Sequence, residues 1–207
     1  MIKARVWLFD LDNTLHDAQP YFFPQINQQM TAYLQQHLAL NDASADALRR
    51  YYWERYGATL TGLMRHHAIK PAHFLWHTHQ FPALMEQVVT EVGLRHTLKR
   101  LSGRKIIFSN APKHYIVAIL KALRIAHFFS AIISLENTKH IPKPDIRAFY
   151  RVLHSARLNP ARCIFVEDTL SNLKTAKRLK IRTVFLNKRR HRPAYVDQAI
   201  GHLRDLT

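Results

Sequence analysis

The chain has 207 residues, 47% of them hydrophobic, enough to bury a substantial core in one domain or one domain carrying an insertion. A single cysteine excludes an intramolecular disulfide, and its place in the apolar run Cys163-Ile-Phe-Val166 reads as a small buried strand residue in a reducing compartment. The formal charge of +17 draws anionic substrates or polyanions and makes nucleic acid a possible partner, but neither a zinc-finger cysteine pattern nor an aromatic RNA-binding signature accompanies it, so nucleic acid is not favoured over a plain solvated basic surface.

The N-terminal segment carries Lys3 and Arg5, yet its apolar run stops at Phe9, too short for the apolar region of a signal peptide. No stretch approaches membrane-spanning length, so a cytoplasmic protein without a membrane segment is expected. Val6 to Phe9 is the first of five short runs rich in branched and aromatic residues, followed by 106–108, 131–134, 163–166 and 183–186. Such runs suit strands buried on both faces. From about Pro20 to Leu98 the texture changes to helical spacing, over Gln25 to Leu38, Ala43 to Tyr56, Thr59 to His67 and Pro82 to Val92. Asn41 or Asp42 caps the second of these helices, and Gly57, Gly62 and Pro71 mark breaks. Beyond it, Pro112 to Arg124, Ile146 to Leu153 and Leu170 to Leu179 read as crossover helices. The chain is of α/β class, with an all-helical insertion between its first and second strands.

Four polar segments follow the predicted strands. Asp10 and Asp12 are two apart, share a strand face and stand about 6 to 7 Å from one another, so they can flank one phosphoryl group. One attacks while the other protonates the leaving oxygen; a cation holds Asp10 ionised while Asp12 carries the proton, and hard oxygen ligands favour Mg2+. Thr14 and the N–H groups of this turn can hold phosphate oxygens. Ser109 and Asn110 precede a helix start, Lys143 sits in a loop stiffened by Pro142 and Pro144, and Asp168 after Glu167 completes the carboxylate set. Each segment alone is equally a strand-closing turn, a helix cap or a surface lysine. Together they fall where open α/β sheets bind ligands, outside the carboxyl ends of the strands.

With these segments the chain resembles the haloacid dehalogenase superfamily, and Phe9-Asp-Leu-Asp-Asn-Thr-Leu15, Tyr56-Gly-Ala-Thr-Leu60, Phe108-Ser-Asn-Ala111, Lys143-Pro-Asp145 and Phe165-Val-Glu-Asp-Thr169 are similar to the pyrimidine 5′-nucleotidase group. The resemblance implies a Rossmann-like core over 1–17 and 99–207, with a central parallel sheet of about five strands, and a helical cap over 18–98. It implies that Asp10 forms an aspartyl phosphate, that Asp12 protonates the leaving oxygen and then activates water, and that Ser109 and Lys143 bind phosphoryl oxygens. Asp10, the Asp12 carbonyl and Asp168 would hold Mg2+. Haloacid dehalogenases lack the second aspartate, so Asp12 favours hydrolysis of phosphate monoesters, pyrimidine nucleoside 5′-monophosphates first, with sugar phosphates and other small esters as the nearest alternative. His16 departs from the group's usual Tyr, Lys180-Ile181 from Gly-Met, and Thr169 from Ser.

Substrate choice then belongs to the insertion. Tyr56, Thr59 and the aromatics Tyr21, Phe22 and Phe23 are candidates for closing over a base, although aromatics at this spacing more often pack a helical core. His73 and His77 lie four apart, but without a His-Glu-x-x-His pattern or a nearby cysteine they read, with His66, His67 and His79, as partly exposed residues of the insertion. The run Lys188 to Arg192 after the fifth strand reads as a solvated basic loop that helps draw in phosphorylated substrates.

Overall fold

A computed structural model describes residues 5–189 and 191–206; Lys3 and Arg190 lie outside the described residues. Its centre is a six-stranded sheet of β1 (Val6–Phe9), β2 (Arg104–Phe108), β3 (Ala131–Ile133), β4 (Cys163–Glu167), β5 (Arg182–Leu186) and β6 (Gln198–Ile200). The strand order is β3-β2-β1-β4-β5-β6, every pair parallel. The register explains why the runs are apolar throughout. Leu8 pairs with Ile106 and Phe165, and this row packs into one cluster with Phe149 and Leu173 of α7 (Ile146–Ser155) and α8 (Leu170–Arg178). Phe9 pairs with Ile107 and Val166, and this row enters the opposite cluster with Tyr115, Ile116 and Ile119 of α6 (Lys113–Ala122). Alternate residues feed alternate faces, so both must be hydrophobic.

The insertion holds α1 (Phe22–Leu38), α2 (Asp42–Tyr56), α3 (Thr59–His66) and α4 (Pro71–Thr78), with a third cluster of their own around Leu34, Tyr52, Leu63 and Phe74. Asn41 caps α2, accepting from Ser44 N at 2.9 Å, and Gly57 closes it in the left-handed conformation at φ 77°. Of the other two expected breaks, Pro71 is one and Gly62 is not. Gly62 lies inside α3, where the Tyr52 ring packs so close that a Cβ would stand 2.2 Å from Cγ. Pro71 opens α4, since a helix's first position needs no N–H.

Further differences concern short elements. Pro82 to Val92 is not one helix: Pro82–Gln87 forms a 3-10 turn, and Val89 then bridges antiparallel to Asp17, where the chain enters and leaves the insertion. The helix α5 (Leu94–Arg100) sends Leu94 and Leu98 into the sheet's core, so the expected boundary near 98 falls within a core-packed helix. The sixth strand adds one to the five expected. Lys180 ends the turn after α8 in the left-handed conformation at φ 62°, without the glycine that usually favours it, and Ile181 N bonds back to Ala176 O at 3.1 Å. Among the described residues, no helix is long and apolar enough to cross a membrane.

Candidate active site

Asp10 extends the β1 ladder by one residue, donating from N to Val166 O at 3.0 Å, and the chain then turns sharply, with Thr14 N and Leu15 N both bonding to Leu11 O. Asn13 is left-handed there at φ 58°, a conformation its short polar side chain tolerates, and its Oδ1 accepts from Ala18 N at 3.1 Å. The turn brings Asp10 and Asp12 to a cavity of about 980 Å³ between the carboxyl ends of the strands and the inserted helices. Ser109, Asn110, Lys143 and Asp168 line the same cavity from the loops after β2, β3 and β4.

Lys143 is buried, and its ammonium spends three donors on Asp10 Oδ1 (2.6 Å), Glu167 Oε2 (2.8 Å) and Phe108 O (2.9 Å). Burial alone would lower its pKa, but the two carboxylates hold it above the ordinary lysine value. Glu167 is saturated: Oε2 also accepts from Asn172 Nδ2 at 2.9 Å, and Oε1 accepts from the N–H groups of Asp168 and Thr169 at 3.1 Å each. Burial, reinforced by the charge of Glu167, pushes Asp10 up to about 7; burial likewise pushes Glu167 up to about 7 and raises Asp168.

This electrostatic state bears on the metal. Oxygens of Asp10, Glu167 and Asp168 lie within 4.8 Å of one another. Glu167 has its lone pairs engaged by four donors, which leaves Asp10 and Asp168 as the hard oxygen ligands. Three carboxylates face one ammonium in a buried corner, where a divalent cation such as Mg2+ would supply the missing charge. The donor set therefore fits the metal expected from the sequence.

The structure places the remaining expected residues as follows. The Thr14 hydroxyl donates to Asp10 Oδ2 at 3.3 Å instead of facing the open cavity. The Asn110 side chain spends both ends on the backbone of Lys143, accepting from its N (2.7 Å) and donating to its O (3.0 Å), so it shapes the loop rather than offering itself to a ligand. Thr59 lines the cavity from the start of α3, its hydroxyl donating to Arg49 O at 3.0 Å. Tyr56 does not line it: the phenol bonds His66 Nε2 at 2.7 Å, and the ring borders a separate cavity of about 430 Å³ with Arg65 and Pro144. Tyr21 is exposed and Phe22 is buried in the core; Phe23 alone of these three lines the cavity. His73 and His77 pack with Tyr33, whose hydroxyl meets His73 Nδ1 at 2.8 Å, whereas His79, expected to be partly exposed, is buried, its ring edge-on to Tyr115 and its Nδ1 2.8 Å from the Thr78 hydroxyl.

Four side chains take places that were not read from the sequence. Trp53 and Arg50 of α2 line the cavity, and Trp53 is 62% exposed, an indole with no protein partner over most of its surface. Tyr115, read as part of a core stripe, donates its hydroxyl to Asp12 Oδ1 at 2.8 Å. His16 reaches the same oxygen with Nε2 at 2.9 Å.

The model of the haloacid dehalogenase-like hydrolases matches residues 4–180, and the chain belongs to that family. Among curated relatives it is similar to phosphate metabolism protein 8 of Saccharomyces cerevisiae, 25% identical over 186 residues, covering 83% of this chain and 58% of that one. It is also similar to phosphoglycolate phosphatase of Pseudomonas putida, 26% identical over 195 residues, covering 88% of this chain and 69% of that one. The chain thus spans a little over half of the yeast relative's length. Among solved structures, CbbY from Rhodobacter sphaeroides in complex with phosphate superposes with a TM-score of 0.68 at 19% identity, covering 98% of this chain and 96% of that one. The HAD phosphatase from Thermococcus onnurineus gives 0.66 at 20% identity, covering 98% and 95%. These two establish likeness of fold.

Proposed function

We propose that this hydrolase is a Mg2+-dependent phosphatase of small phosphate monoesters, pyrimidine nucleoside 5′-monophosphates first, acting through an aspartyl phosphate on Asp10. The observation that carries the reading is the buried Asp10 carboxylate at the end of β1, 2.6 Å from the Lys143 ammonium and in one cavity with Asp12, Ser109 and Asp168. An Asp10 oxygen attacks phosphorus; the P–O ester bond breaks, and the leaving oxygen takes its electron pair and the proton of Asp12. A water then attacks the aspartyl phosphate, giving its proton to Asp12 as the P–O bond to Asp10 breaks and phosphate leaves. Lys143 stands against the charge of Asp10 before attack and against the phosphoryl oxygens as charge moves there, with Ser109 as a further donor. Mg2+, held by Asp10, Asp168 and the Asp12 carbonyl, supplies Lewis-acid stabilisation of the phosphoryl charge.

Helices α1 to α4 act as the cap over the cavity. Trp53, exposed within it, supports a substrate with a planar ring. The second reading, a phosphatase of other small phosphate esters, is favoured by the relatives named phosphoglycolate phosphatase. The buried lone Cys163 supports a reducing, cytoplasmic setting. The test is phosphate release from nucleoside monophosphates, sugar phosphates and phosphoglycolate, with Mg2+ or chelator, by the wild type and Asp10→Asn. Chelator-sensitive release that is strongest on UMP or CMP and lost in Asp10→Asn is expected. Preference for a sugar phosphate or phosphoglycolate moves the substrate, and undiminished turnover by Asp10→Asn overturns the mechanism.

A further inference from the structure

One carboxylate oxygen of Asp12 has two donors on it and the other has none. Tyr115 Oη donates to Oδ1 at 2.8 Å and His16 Nε2 lies 2.9 Å from the same atom, while among the described residues no hydrogen bond reaches Oδ2. Oδ1 already accepts from Tyr115, and the tautomer that suits it sets the His16 proton on Nε2, which leaves Nδ1 as the ring's acceptor nitrogen. That Nδ1 is buried without a partner. The ring is held edge-on against Phe22 and tilted against Tyr115, surroundings that an apolar side chain would fill without stranding a nitrogen. A buried histidine with one ring nitrogen stranded and the other on Asp12 is placed there for Asp12.

We infer that His16 and Tyr115 are positioning residues that fix Oδ1 of Asp12 as an acceptor and leave Oδ2 as the oxygen that exchanges a proton with the ester. Tyr115 comes from α6 of the core and His16 from the turn after Asp12, and both rings pack against Phe22 at the start of the inserted helix α1. The inference rests on the phosphatase reading above.

The experiment compares kcat/KM, which reports steps only through transfer to Asp10, on UMP and on p-nitrophenyl phosphate. The ribose alkoxide needs Asp12's proton on leaving, whereas p-nitrophenolate departs without it. In Tyr115→Phe and His16→Leu, the ratio of kcat/KM on UMP to that on p-nitrophenyl phosphate should fall by about tenfold or more, part of what a general acid contributes. His16→Gln, which retains an N–H donor, should restore most of the ratio, and thermal unfolding identifies any variant that has not folded. Equal losses on the two esters, or no loss on either, overturn the inference while wild-type turnover keeps the phosphatase reading. Absence of wild-type turnover on both esters removes the reading and the inference together.

Discussion

Lys143 Nζ and Asp10 Oδ1 are 2.6 Å apart although their residues lie 133 positions apart in the chain, and both side chains are buried. The pair joins the loop after β3 to the end of β1 and makes the lysine a counter-ion before any substrate arrives. Replacing it with methionine keeps much of the stem's volume but leaves Asp10 and Glu167 without their cation. Lys143→Met is expected to destabilise the fold by about 3 to 5 kcal/mol, the usual result of breaking a buried pair by removing one partner. Urea unfolding of the two proteins checks it, and phosphate release should be lost in the variant.

Asp10 and Glu167 are both pushed up to about 7, so the folded chain binds protons that the unfolded chain has already released near pH 4. Stability contributed by these groups is present at low pH and lost as pH rises through the folded values. Metal-free protein should therefore show its melting temperature falling between pH 5 and pH 8 in this window, and Mg2+ should flatten that slope by binding the ionised site. A melting temperature that rises with pH in chelator contradicts it.

Trp53 is mostly exposed, so its removal should cost the fold little, within about 0.5 kcal/mol. In Trp53→Ala, KM for UMP is expected to rise by about tenfold, within the range for losing one aromatic stacking partner. KM for phosphoglycolate, which has no ring, should stay near the wild-type value. Equal changes for both substrates would show that the indole does not contact a base.

Gly62 has no room for a side chain against the Tyr52 ring. Gly62→Ala gains helix propensity but overpacks the cluster of inserted helices, and a net loss of about 1 to 3 kcal/mol is expected by thermal denaturation. A stabilised variant would mean that the ring moves freely aside.

What the sequence discloses follows from the range of the forces involved. Runs such as Ile106 to Phe108 identify strands because a doubly covered strand must be apolar at every position, and Asp10, Ser109, Lys143 and Asp168 stand out because each follows such a run. Gln198 to Ile200 lacks that signature: three residues pair at an edge with two of them only partly buried. Gly62 reads as punctuation because propensity is local, whereas its actual role depends on a ring ten residues away. Thr14 and Asn110 have the right chemistry for phosphate, yet spend it on Asp10 and on Lys143's backbone, a choice made by distances that no spacing discloses. Tyr115 has the periodicity of a core residue and is one, and its hydroxyl meets Asp12 only because the fold closes a gap of 103 residues.

The Asn110 side chain holds both backbone polar groups of Lys143 and thereby turns two loops, 33 residues apart in sequence, into a single bracket. In the mechanism proposed above, Ser109 and the lysine ammonium then meet a phosphoryl group from a bracket that is already set. The entropy of aligning them is lost when the chain folds instead of when the ligand arrives, leaving more of the binding interaction available to the reaction itself.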